Sequence, residues 1–140
     1  MPTLRSLWMS WRPLPKSLGE RGEQQACRFL RRHGHRVVAN RSRSRYGEID
    51  IIAVEDQTIV FVEVKTRRAE KNDRPAEAID ARRRQRLVRA ALAFLKSRGL
   101  LEYASRFDVI EVLWPQGQRR PTIRHYRNAF SPTDRGQFFS

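Results

Sequence analysis

Residues 47–66 read GEIDIIAVEDQTIVFVEVKT. Two runs rich in Ile and Val, 47–54 and 58–66, flank Glu55-Asp56-Gln57. That pattern predicts two antiparallel strands joined by a short turn. With Asp56-Gln57 as a two-residue turn, Glu55 pairs with Thr58, Asp50 falls opposite Glu63, and Glu48 falls opposite Lys65. Opposed residues share a sheet face, with Cβ atoms about 5 Å apart. The spacing of two also keeps Glu48 with Asp50, and Glu63 with Lys65. Ile49, Ile51, Val62 and Val64 are then expected together on the opposite face, in the core.

The hairpin stands out in charge as well. Residues 47–66 carry one Lys against five acids, while the whole chain of 140 residues carries 29 Lys plus Arg against 15 Asp plus Glu, a net charge of +14. Of the 29 cations, 25 are Arg, the side chain suited to bidentate phosphate contact. A balance this basic implies a polyanionic partner, nucleic acid before anionic membrane. A protein that only holds phosphate has no need of an acidic island, so the island calls for its own explanation.

Length and cysteine usage bound the rest. A chain of 140 residues suggests one domain. The single Cys27 excludes an internal disulfide and a Cys-rich zinc site, and a reducing, cytoplasmic setting is the default expectation. No stretch approaches 18 consecutive apolar residues, so no membrane span is expected.

Outward from the hairpin, residues 17–33 predict a helix with Ser17 as N-cap, Glu20 three residues on, and Gly34 after its end. Gly22 in mid-helix suggests close packing or a close ligand. Residues 36–40 predict a short strand, followed by Arg41, Arg43 and Arg45, which share a face if extended. Residues 76–98 predict an amphipathic helix on which Arg82, Arg86 and Arg89 form a basic stripe. Residues 106–114 and 122–127 predict two more strands. Residues 1–16 are expected to be a flexible arm, 17–130 the domain, and 131–140 a loose tail. The order α-β-β-β-α-β-β defines an α/β fold with a central sheet.

Converging carboxylates with no His or Cys among them suit Mg²⁺ or Mn²⁺. Asp50 and Glu63 are the candidate ligands, with the Val64 carbonyl as one more and Lys65 as the candidate catalytic cation. Glu48 reads as a partner of Lys65 or an Arg, with an outer-ligand role as the alternative. Arg106-Phe107-Asp108 reads as a structural ion pair, and His33, His35 and His125 are scattered along the chain with no matching ligand set.

The same residues carry a family resemblance. Gly22-Glu23 with Ala26 and Leu30, GEIDIIA at 47–53, FVEVKTR at 61–67, AEAID at 76–80, RFDVI at 106–110 and NAF at 128–130 resemble the YraN family, over about residues 17–130. These small bacterial proteins are described as endonuclease-like. They resemble archaeal Holliday-junction resolvases and the restriction-endonuclease-like PD-(D/E)xK fold. The resemblance implies a metal-dependent phosphodiesterase of structured or branched DNA. It matches Asp50 to the first acidic ligand, Glu63 and Lys65 to the ExK pair, and Glu23 to the acid of the first helix. Read alone, Glu23 is also an ordinary first-turn helix acid, and Glu20 is the fallback for its role. The usual Lys of the second helix is replaced by Arg83 or a neighbour, and Arg74-Pro75 stands where a Gly is common. Arg41, Arg43, Arg45, Arg67, Arg82, Arg83, Arg86 and Arg89 are the expected nucleic-acid contacts. The resolvase likeness also raises a homodimer. A non-catalytic nucleic-acid-binding module and an RNA-processing nuclease are the alternative functions.

Overall fold

The computed structural model describes residues 17–69 and 79–132. The arm at 1–16, the segment 70–78 and most of the expected tail lie outside them. Two helices and five strands follow in the order α1 (Leu18–Arg32), β1 (Arg36–Ser44), β2 (Gly47–Glu55), β3 (Thr58–Ala69), α2 (Ala81–Ser97), β4 (Ser105–Pro115), β5 (Thr122–Phe130). This is the expected α/β class and element order.

The strands form one sheet in sequence order, antiparallel except for the parallel pair β3–β4. A parallel pair needs a crossover, which α2 supplies. The hairpin register is the expected one from Glu55 opposite Thr58 to Ile51 opposite Val62, but the ladder ends there, so the expected pairs Asp50–Glu63 and Glu48–Lys65 do not form. Asp56 has φ 53°, the left-handed backbone that short Asp-containing turns tolerate.

Both faces of the sheet are buried. Ala26, Cys27 and Leu30 of α1 cluster with Ile51, Ala53, Val60, Val62, Ile110, Val112 and Trp114. Leu87, Ala90, Ala91 and Leu95 of α2 cluster with Ile49, Ile52, Ile59, Phe61, Phe107 and Val109. Ile49 and Ile51 therefore sit in different cores, and the alternation of β2 breaks at Asp50. The expectation of one shared core face is corrected here. Both faces are covered, so a regular in–out pattern is not needed along the whole strand.

Two boundaries also differ. Helix α2 starts at Ala81, because the Asp80 side chain accepts from the Arg83 N–H at 2.8 Å and caps it, and positions 76–78 of the expected helix lie outside the described residues. Strand β1 runs on to Ser44 and takes in Arg41 and Arg43, while Arg45 lies in the following turn. Arg41 has φ 50°, so the three arginines do not line up on one extended face.

Candidate functional site: an acidic cluster at a strand fork

Strands β2 and β3 stop pairing at Ile51–Val62. One step beyond, the Val64 N–H donates to Asp50 Oδ2 at 2.8 Å. A side-chain carboxylate thus takes the amide that a neighbouring strand would otherwise satisfy. The fork leaves room for other side chains to reach the same point.

Helix α1 supplies one of them. A Cβ on Gly22 would lie 1.7 Å from Thr66 Oγ1, so only glycine lets the helix touch β3 there. This is the close packing that the mid-helix Gly22 suggested. It brings the adjacent Glu23 to the fork. Oxygens of Glu23, Glu48 and Asp50 all lie within 4.8 Å of one another. Glu48 therefore belongs to the cluster as well as pairing with Arg43 at 3.1 Å. Its spacing of two from Asp50 was the sequence signal for it. Glu20 stays at the helix cap, where its N–H is bonded to the Ser17 hydroxyl.

The electrostatics follow from crowding. Asp50 is pushed up to about 7, first by burial, then by the neighbouring Glu63 carboxylate, with Glu23 adding to it. The Val64 N–H and Arg83 pull in the opposite direction without cancelling these effects.

Glu63 is close enough to act on Asp50, yet it is held from the other side. Phe61 lies in the α2 core, while Val62 lies in the α1 core and Val64 packs against it. Alternation then sends Glu63 toward α2, where Arg83 Nη2 contacts both carboxylate oxygens at 3.0 Å. Arg83 is thus an internal partner of the candidate site. The other expected contacts divide in the same way. Arg41 binds Glu23 at 2.8 Å and Arg43 binds Glu48, whereas Arg82, Arg86 and Arg89 are exposed on α2. Lys65 is half-buried on β3 and pairs in the ladder with Glu111.

A cavity of about 510 Å³ opens beside Glu23, lined also by Arg28, Arg31, Asn40 and Arg41. A larger one, about 810 Å³, is lined by Val38, Ile52, Phe94 and Tyr103 and reaches the Asp56-Gln57 turn, away from the acids.

A second polar cluster was not legible in the sequence. Asp108 is buried and accepts from Arg106 at 3.0 Å, from the Asn128 N–H at 2.8 Å, and from His125 Nε2 at 2.7 Å. Burial pushes its carboxyl up, but these hydrogen bonds outweigh it and hold Asp108 below the usual range. Buried His35 and Glu55 join through Arg106. The Arg106–Asp108 pair was expected; the gathering of two histidines from distant segments was not.

Fold and site together define a mixed α/β domain that gathers three carboxylates at a strand fork inside a basic chain. Residues 22–112 match the model of a family described as Uncharacterised protein family UPF0102. The chain belongs to this family, as its YraN-like motifs implied. A member from Rhodopirellula baltica is 44% identical over 125 residues, 87% of this chain and 75% of that protein. One from Alkaliphilus metalliredigens is 41% identical over 117 residues, 84% of this chain and 100% of that protein. One from Nocardia farcinica is 46% identical over 115 residues, 82% of this chain and 90% of that protein. Among solved structures, the Holliday junction resolvase Hjc of Archaeoglobus fulgidus is similar at 20% identity and a TM-score of 0.43, over 86% of this chain and 85% of that one.

Proposed function

We propose that this protein is a divalent-metal-dependent endonuclease that hydrolyses phosphodiester bonds in structured or branched DNA. The observation that supports this best is the meeting of Glu23, Glu48 and Asp50 oxygens within 4.8 Å, in a chain whose net charge is +14. The donor set is all carboxylate, which suits Mg²⁺ or Mn²⁺. Burial and like charge hold Asp50 at about 7, a deficit that a cation would relieve. When bound, such an ion supplies Lewis acidity and lowers the pKa of a water molecule.

The protein's own groups do the rest. The Val64 N–H fixes the Asp50 carboxylate. The Val64 carbonyl and Glu63 would join Glu23, Glu48 and Asp50 in holding the ion. Lys65 donates to charge that develops on the phosphate. Arg28 and Arg31, beside Glu23, draw in the backbone that the carboxylates alone would repel. Cutting both strands of a branch point is work for two copies, so a homodimer is part of the reading. Light scattering that gives only monomer at high concentration would remove that part.

A second reading has its own observation. Arg83 occupies both oxygens of Glu63, which leaves that carboxylate committed to an ion pair. A site locked in this way would bind nucleic acid without turnover. One assay separates the two: incubation with plasmid, four-way junctions, flaps and RNA, with and without Mn²⁺. Metal-dependent cleavage that is lost in Glu63→Ala and Lys65→Ala supports the enzyme. Binding without cleavage under every metal supports the module, and cleavage of RNA alone moves the substrate class.

A further inference from the structure

Glu111 is fully buried in the middle of the sheet, at 0% exposure. Its ladder partners are Lys65 on β3 and Arg124 on β5. Arg67 lies two residues beyond Lys65, so Lys65, Arg67 and Arg124 rise from one face around one carboxylate. Glu111 Oε1 contacts Arg124 Nη1 at 3.4 Å and Arg67 Nη2 at 3.6 Å. Its Oε2 is buried with no hydrogen-bond partner among the described residues.

Burying a carboxylate is costly unless it is paired. Here two guanidiniums pair it, one from each flanking strand. The two guanidiniums are not sunk with their anchor. The Arg67 side chain is 34% exposed and that of Arg124 is 44% exposed. Each guanidinium carries five donors in a planar fork, so one nitrogen can rest on Glu111 while others face outward. A buried anion that fixes the inner edge of two such forks removes much of the rotamer freedom that a long Arg side chain loses on binding.

We propose that Glu111, Arg67 and Arg124 form a phosphate-binding subsite for the nucleic-acid backbone, beside Lys65 on the β3–β5 face. Glu111 is a positioning residue that touches no substrate, and Arg124 makes the contact together with Arg67. The proposal rests on the nucleic-acid reading above, and it extends the substrate track across β4 to β5, away from the basic stripe on α2.

The test is fluorescence anisotropy of a labelled DNA duplex in EDTA, which reads binding without cleavage, over a series of NaCl concentrations. Arg124→Ala is expected to weaken binding about fivefold and to lower the slope of log K against log salt by about one. Arg124→Lys is expected to keep the slope. Glu111→Gln raises the net charge by one, so charge counting predicts tighter binding; the subsite predicts weaker binding, because both forks lose their anchor. Arg124→Ala with unchanged affinity and slope would overturn the proposal, as would tighter binding by a folded Glu111→Gln. If Glu111→Gln does not fold, the Arg124 pair decides alone. Wild-type protein that binds neither a DNA nor an RNA duplex overturns the nucleic-acid reading itself, an outcome distinct from a silent Arg124.

Discussion

The Asp50 carboxylate accepts the Val64 N–H at 2.8 Å, across the point where β2 and β3 part. Asp108 accepts the Asn128 N–H at 2.8 Å at an irregularity of the β4–β5 ladder. Each aspartate stands in for a missing ladder bond. One is crowded by other carboxylates and the other is surrounded by cations and histidines, and their protonation is driven in opposite directions.

Asp50→Asn should stabilise the metal-free protein. At pH values below the ordinary 3.8, both folded and unfolded chains carry the proton, and Asp50 adds no pH dependence. As pH rises toward about 7, the unfolded chain ionises first, and the wild type loses stability relative to the variant. The expected gain at pH 8 is about 1–2 kcal/mol, after discounting for solvent screening. Urea unfolding in EDTA at pH 4 and pH 8 checks it, and a gain that is the same at both pH values would contradict the cause.

Mn²⁺ should raise the melting temperature of the wild type and leave Asp50→Asn and Glu23→Gln nearly unmoved. At a hundred times its dissociation constant, a ligand adds about 2.7 kcal/mol. Differential scanning fluorimetry over a MnCl₂ series measures this. An equal shift in all three proteins would assign the effect to some other site.

Gly22→Ala should cost about 1–3 kcal/mol, because its methyl would overlap the Thr66 side chain. At an exposed helical position the same change would gain up to about 1 kcal/mol. The sign alone, from urea midpoints, tells whether α1 meets β3 as closely as described.

Asp108→Ala should cost about 3–5 kcal/mol, since it takes from Arg106 and His125 their shared buried anion and from the Asn128 N–H its acceptor, leaving Arg106 only Glu55. Asp108 is held below its ordinary 3.8, so its contribution is complete above that value and fades as pH falls through its lower folded value. The gap between wild type and variant should narrow below pH 4, read by chemical unfolding across pH 7 to 3.

Much of the hairpin was legible because strand geometry has a period of two and its turn is short. Glu55 opposite Thr58 follows from the turn length, and the ladder pairs between Ile51 and Val62 follow by counting. The alternation failed only at Asp50, where cores on both sides of the sheet let Ile49 and Ile51 part. Glu23 was within reach of motif resemblance, and Gly22 announced a close approach without naming Thr66 as the surface it meets.

The sequence by itself determined the class of fold, the register of the hairpin near its turn, and an acidic island within a basic chain, since these depend on local period, turn length and charge count. Tertiary structure alone decided that Glu48 joins Glu23 and Asp50, that Arg83 takes Glu63, and that His125 and His35 gather near Asp108. Those meetings join residues far apart in the chain, and they depend on where a helix can touch a sheet and where two strands separate. No spacing rule along the chain encodes such distances; they are set by the packing of whole elements.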